Sequence, residues 1–381
     1  MHRRRDWTSL PVEILQLISE NLHTNFIDLY LFRSICKSFG QIQLQKPQIP
    51  PPQLPWLLLP SLHNNRPRFY SISDNKIYHL PPSDSFNQSS CCRRSSLGWL
   101  LIIDDNTLDC SLFNPLTRVR VSLPSMSTVW ALIGVLEVGE RKVDRDKLIG
   151  KVVLSGNPDL DHKEEISIVV LVYGYLIYAK LGDKAWKHLE DIRDTIYGFD
   201  DVVYFNEKFY AVDSWGLVVI CDLGSSSPGM KELTTSVPAS FQSDKENLVV
   251  PLMTYLVESS GELLLIRRFR GQKLRRTIVF KVFKDDPISK SWVEVESLDG
   301  HALFLGYNHS LSLLASNYFR CKANCIYFTD NIFNGTSIEK LEPHDVGIFN
   351  VETGIIELLP GYWCDHQFLA QPPILLTPSP W

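Results

Sequence analysis

From Trp56 onward the chain is a succession of short strand-like runs separated by tight polar turns, and this texture limits its possible folds more than any other feature. Arg68-Phe69-Tyr70-Ser71-Ile72 turns at Ser73-Asp74-Asn75 into Lys76-Ile77-Tyr78-His79-Leu80. Residues 98–103 turn at Asp104-Asp105-Asn106 into 108–114, and 202–205 turn at Asn206-Glu207-Lys208 into 209–213. Further runs lie at 217–222, 262–269 with 277–283, 292–295, 325–329 and 346–357. β-Branched and aromatic residues dominate them, as suits pleated and half-buried surfaces. A loose motif recurs after the runs: Phe113-Asn114-Pro115-Leu116-Thr117, Lys184-Ala185-Trp186, Ile288-Ser289-Lys290-Ser291-Trp292 and Phe349-Asn350-Val351-Glu352-Thr353-Gly354. Its units recur at roughly 45 to 55 residues, the length of one propeller blade. The expected fold is therefore mainly β, a propeller of about six blades over residues 61–381, with a β-sandwich as the alternative. Trp130, Trp186, Trp215, Trp292 and Trp363 are expected to be core wedges between blades rather than a ligand-stacking set.

The first forty residues have a different texture. Leu10, Ile14, Leu17, Ile18 and Leu22 follow the spacing of one helix face, and Val12 and Leu15 widen it. Pro11 suits the first helical position, where its missing N–H matters least, and Glu13 suits the positive helix end. A second segment opens after Asn25 with Phe26, Ile27, Leu29, Leu31 and Phe32, and a short third carries Ile35, Cys36 and Phe39. So short a module rarely buries this much apolar surface alone, so the excess either pads the β domain or is lent to a partner. Prolines at 47, 50, 51, 52 and 55 then suggest a stiff connector over residues 46–60.

Leu10-Pro11-x-Glu13-Ile14-Leu15, Ile18, Leu22 and Phe32-Arg33-Ser34-Ile35-Cys36-Lys37-Ser38-Phe39 resemble an F-box, a three-helix motif, from residue 6 to about 42, within an expected module of residues 1–45. That resemblance implies docking onto the Skp-type adaptor of a cullin–RING ubiquitin ligase. The residues it assigns to adaptor binding are Leu10, Pro11, Ile14, Leu15, Ile18, Leu22, Leu29, Phe32, Ile35, Cys36 and Phe39. Plant F-boxes usually carry Trp where this chain has Phe39, which keeps an apolar plug and loses the indole N–H. Gly98-Trp99-Leu100, Leu112-Phe113-Asn114-Pro115-Leu116-Thr117 and Lys208-Phe209-Tyr210-Ala211-Val212-Asp213 are similar to a plant domain family that follows F-boxes. So are the segments 297–306 and 325–330. That family includes kelch-like substrate receptors, so the resemblance implies a non-catalytic receptor that holds a target protein. The target itself is not written in the sequence.

Other chemistries find little support. A net charge of −5 offers no global basic field, so neither direct nucleic-acid binding nor an anionic membrane is expected. No eighteen-residue apolar run exists, and Arg3-Arg4-Arg5 has no apolar stretch behind it, so no spanning helix or secretory signal is read. The nucleus and/or cytoplasm is the expected location. Hydrolase elbows, phosphate loops and dinucleotide fingerprints are absent, no cofactor is expected, and no catalytic residue is assigned. Cys321-x-x-x-Cys325 with His301 and His309 is too loose a spacing to predict a metal. Glu164-Glu165, Asp200-Asp201 and Asp285-Asp286 are read as solvated turns. The sharpest charge feature is Arg267-Arg268-Phe269-Arg270-Gly271-Gln272-Lys273-Leu274-Arg275-Arg276. It is expected to be a solvated hairpin tip, and Arg267, Arg268, Arg270, Lys273, Arg275 and Arg276 form a candidate recognition loop for an acidic or phosphorylated target.

Overall fold

The structure, a computed structural model, describes residues 10–22, 32, 53–59, 68–79, 90–104, 106–132, 149–158, 165–189, 198–224, 228–233, 237–242, 249–271, 276–286, 288–330, 345–359 and 373–378. Helix α1 (Val12–Leu22) comes first. Six sheets then stand around one axis, making a six-bladed β-propeller. Blade 1 holds β1 (Trp56–Leu59), β2 (Arg68–Ser71) and β3 (Lys76–His79). Blade 2 holds β4 (Ser90–Ser96), β5 (Trp99–Asp104), β6 (Cys110–Phe113) and β7 (Arg120–Leu123), followed by helix α2 (Ser127–Leu132). Blade 3 comprises β8 (Ile149–Leu154), β9 (Ser167–Val172), β10 (Tyr175–Lys180) and β11 (Lys187–His188). Blade 4 comprises β12 (Phe199–Phe205), β13 (Lys208–Asp213), β14 (Val218–Asp222) and β15 (Gly229–Glu232), followed by helix α3 (Ala239–Gln242). Blade 5 is β16 (Val249–Ser259), β17 (Glu262–Gly271), β18 (Thr277–Asp286) and β19 (Ser291–Val295). Blade 6 is β20 (His301–Leu305), β21 (Ser310–Leu314), β22 (Cys325–Phe328), β23 (Gly347–Asn350) and β24 (Ile356–Glu357). Finally β25 (Ile374–Leu376) returns to blade 1 and pairs antiparallel with β1. The strands β25, β4, β8, β12, β16 and β21 line the axis in that order.

This closure corrects one expectation. Trp56–Leu59 falls inside the segment assigned to the connector, yet it is a fully buried strand of blade 1, hydrogen-bonded to both β2 and β25. The apolar run Trp-Leu-Leu-Leu explains why: it is buried on both faces, against Phe69 and Leu100 on one side and against blade 6 on the other.

The alternation of strand side chains builds the cores between blades. In β9, Ile168, Val170 and Val172 face blade 2 while Val169 and Leu171 face blade 4. In β17, Leu264 and Ile266 face blade 6 while Leu263 and Leu265 face blade 4. Period-two strands buried on both sides read as continuous apolar runs, which is how they appear in the sequence. The inner strands of blades 3, 4 and 5 begin at Ile149, Phe199 and Val249, steps of 199 − 149 = 50 and 249 − 199 = 50 residues. The recurring motif is the turn between third and outer strands. Asn114 Oδ1 accepts the N–H groups of Leu116 and Thr117 at 2.9 and 3.1 Å, and Asn350 Oδ1 accepts that of Thr353 at 2.8 Å. Blade 6 departs from the pattern. There β20 lies second from the axis, β21 inserts inside it, and β22 runs parallel to β20 after a 3-10 turn at Ala315–Asn317.

Candidate functional site

Three places hold the residues that the sequence singled out: helix α1, the basic stretch of blade 5, and the propeller axis. In α1 the Pro11 carbonyl accepts the N–H groups of Ile14 and Leu15, both at 3.1 Å, so the helix starts where the proline dictates, with Glu13 in its first turn. Leu15 is buried with Phe32, and Leu10 and Ile18 pack partly against that pair. Val12, Ile14 and Leu17 remain 60%, 43% and 56% exposed. Of the apolar face, Leu15 therefore serves the internal contact, while Ile14 and Leu17, three residues apart, stay open. Leu22 ends the helix. Leu29, Ile35, Cys36 and Phe39 lie outside the described residues.

The basic stretch is not one loop. Arg267 and Arg268 lie within β17, and both are buried. Arg268 is fully enclosed. Its Nε donates to Thr277 Oγ1 at 2.7 Å, Nη1 to Tyr255 OH at 3.2 Å and to Thr329 O at 2.7 Å, and Nη2 to Asp345 Oδ2 at 3.0 Å. The Phe280 and Phe328 rings cover the guanidinium at 5.6 and 4.9 Å. Burial alone would lower its pKa, but Tyr255, Asp345 and Asp330 outweigh burial and hold it above its ordinary value. Arg267 donates through Nη1 to Thr254 Oγ1, approaches Asp200 Oδ2 at 3.9 Å and stacks 5.0 Å from the Phe241 ring. Both arginines thus join blade 5 to its neighbours. They are not a recognition surface. The period-two strand pattern carried this signal, since Arg268 shares a side with the buried Leu264 and Ile266. Arg270 and Arg276 flank the turn, Arg270 half-buried and Arg276 exposed, and Lys273 and Arg275 lie outside the described residues.

Along the axis, buried polar side chains meet across blades. Lys151 Nζ on β8 lies 2.6 Å from Asp201 Oδ1 on β12 and donates to Ser310 Oγ on β21 at 3.1 Å. Asp201 Oδ2 accepts the Leu256 N–H of β16 at 2.9 Å and the Ser310 hydroxyl at 3.2 Å. One carboxylate therefore ties four inner strands. Asn308 completes the ring, donating to Leu375 O at 2.8 Å and Ser95 Oγ at 2.9 Å and accepting the Leu375 N–H at 3.0 Å. The Asp200-Asp201 pair is thus strand, not solvated turn, and burial pushes Asp200 up to about 6 against the pull of the Thr254 N–H and Arg267. Beyond this belt a cavity of about 380 Å³ opens, lined by Leu97, Val153, Tyr204, Glu258, His309 and Thr377 among others. Burial and the Lys151 charge lower the His309 pKa. The belt groups already satisfy one another, so the axis acts as a keystone.

Of the tryptophans, Trp186 and Trp292 are buried wedges whereas Trp215 is 52% exposed. Burial pushes the Cys321 thiol up to about 11 and raises that of Cys325, which opposes the thiolate form that a metal needs. No cluster of three or more His, Cys, Asp or Glu side chains suited to a metal occurs among the described residues.

Residues 69–350 match the family described as KIB1-4 beta-propeller. The F-box protein SKIP23 of Arabidopsis thaliana is 29% identical over 401 residues, covering 94% of this chain and 93% of that protein. The F-box/kelch-repeat protein KIB1 of the same plant is 27% identical, covering 85% of this chain and 78% of its own. The F-box protein At2g17036, also from Arabidopsis, is 26% identical over 98% of this chain and 95% of its own. With six blades in place and a helix carrying the F-box residues ahead of them, the chain belongs to the KIB1-4 β-propeller family and is a plant F-box protein of that family.

Proposed function

We propose that this chain is the target-receptor subunit of a Skp–cullin–F-box ubiquitin ligase, with α1 docking the Skp-type adaptor and the propeller holding a target protein. The observation that carries this reading is the exposure of Val12, Ile14 and Leu17 on a short helix whose only described core is Leu15 with Phe32. The family-level likeness to proteins named F-box proteins supports it. The receptor does no chemistry of its own. It raises the effective concentration of a target lysine near a charged conjugating enzyme held elsewhere in the complex. A nuclear or cytoplasmic location goes with this role. A small-molecule or glycan reading would draw on the axial polar groups, but those are consumed in pairing with one another.

The test is calorimetric titration of the full chain with a plant Skp-type adaptor. Sub-micromolar binding is expected. Leu10→Ala/Pro11→Ala and Ile14→Ser/Leu17→Ser are each expected to weaken it by roughly 2–3 kcal/mol, the worth of two partly exposed aliphatic side chains. A folded chain with no adaptor affinity sinks the receptor reading.

A further inference from the structure

The propeller face that carries the turns between second and third strands has side chains the fold does not ask for. In blade 3 that turn is Tyr173-Gly174, with φ of 53° and 82°, between the paired residues Val172 and Tyr175. Two-residue turns of this kind favour Asn, Asp or Gly at the first position, because a bulky side chain resists positive φ. A tyrosine stands there instead, 65% exposed. The turn is tightly held: Gly174 O accepts the Phe199 N–H at 2.9 Å, and a Cβ on Gly198 would lie 2.6 Å from Gly174 Cα.

The matching turn of blade 4, Ser214-Trp215-Gly216, presents Trp215 at 52% exposure. Asp213 Oδ1 fixes it by accepting the N–H groups of Trp215 at 2.8 Å and Leu217 at 3.0 Å, and Gly216, φ 85°, leaves no room for a side chain against Phe241. In blade 5 the same turn is flanked by the half-buried Arg270 and the exposed Arg276, and neither has a carboxylate partner among the described residues. The equivalent turn in blade 2 is acidic, with Asp104 and Asp109 occupied in hydrogen bonds of their own turn. Tyrosine, tryptophan and arginine are the residue types that dominate interface energetics, and aromatics held on rigid turns lose little entropy on binding.

We propose that this face of blades 3 to 5 is the target-docking surface, and that its occupant is an acidic polypeptide segment carrying an apolar side chain. Tyr173 and Trp215 are the apolar anchors. Arg270 and Arg276 supply the complementary charge, and the blade 2 aspartates repel the segment toward them. The nature of the occupant rests on the receptor reading above, while the surface itself rests on the geometry.

The test selects a display library of random linear 16-residue peptides on the full chain. Enriched sequences are expected to combine aspartate or glutamate with a large apolar residue. Trp215→Ala is expected to weaken them about tenfold or more. Arg270→Glu/Arg276→Glu is expected to abolish their binding at low salt. Tyr173→Asn is the discriminating variant: it replaces a strained residue with one the turn prefers, so it should raise the melting temperature while lowering affinity. Failure to enrich any sequence, enrichment without acidic residues, or full affinity in the Tyr173→Asn and Trp215→Ala variants overturns the proposal. Adaptor titration of the same preparations separates the two ideas. Adaptor binding with no peptide selection sinks this surface alone, and aromatic-dependent selection without adaptor binding supports it while removing the ligase.

Discussion

Replacing Lys151 with methionine tests whether the axis is a keystone or a ligand site. The substitution keeps most of the aliphatic volume and removes the charge. Asp201 would then be left 3% exposed with the Val202 N–H at 2.8 Å, the Leu256 N–H at 2.9 Å and the Ser310 hydroxyl, and no counter-ion. Removing one partner of a buried pair typically costs 3–5 kcal/mol, because a desolvated charge loses its compensation. A folded domain of this kind is stable by only about 5–15 kcal/mol, so the loss is large. Lys151→Met/Asp201→Asn removes both charges and keeps an oxygen for the backbone donors, so it should recover about 2 kcal/mol of that loss. Urea unfolding of the four proteins completes the cycle, with slopes checked so that midpoints can be compared. A loss under about 1 kcal/mol for Lys151→Met, or strict additivity in the double variant, would show that water reaches the pair and refute the keystone argument. Adaptor affinity should be the same in all four.

Two further predictions concern blade 5 and its neighbours. Asp200 is raised from 3.8 to about 6, so between those values the folded chain keeps a proton that the unfolded chain releases. Its contribution to stability is therefore present below pH 4 and lost as pH rises through 6. Asp200→Asn, which can still accept the Thr254 N–H, should stabilise the protein at pH 7 by up to roughly 3 kcal/mol and have no effect at pH 4; a melting temperature that falls at pH 7 would mean that the Arg267 attraction outweighs the desolvation. Arg268→Lys should cost about 2–4 kcal/mol in urea unfolding, since one ammonium cannot reach Thr277, Tyr255, Thr329 and Asp345 together, whereas Arg276→Ala should stay within about 0.5 kcal/mol. Equal effects at the two positions would restore the single-loop reading of the basic stretch.

What could be read from the sequence was what depends on near neighbours. Hairpins such as 199–213 and 262–283 announce themselves because alternating apolar residues and the turn between them lie side by side. The Asn-centred turns at 114 and 350 were visible for the same reason. The start of α1 was too, since Pro11 and the apolar spacing after it are contiguous. What could not be read was settled by distant pairings. Trp56–Leu59 followed a proline run and carried no sign of β25, more than 300 residues away. Nothing local links Lys151 to Asp201 or Asn308 to Ser95; only closure of the ring brings them together. Arg267 and Arg268 were misplaced because six basic residues in ten outweighed a strand alternation that assigned them to the two blade interfaces.

These errors share a physical cause that bears on function. A propeller blade is buried on both sides, so charge within a blade must be matched by an adjacent blade, and the chain meets this with cross-blade pairs: Lys151 with Asp201, Arg267 with Asp200, Arg268 with Asp345. Each pair couples strands that are far apart in sequence, and together they favour one relative setting of blades 3 to 6. Arg270 and Arg276 of blade 5 lie outside that matching, at a turn on the same propeller face as the exposed Trp215 of blade 4. In α1, by contrast, the open residues Ile14 and Leu17 are apolar. The two proposed surfaces therefore differ in chemistry, a greasy helix for the adaptor and a charged aromatic rim for the target.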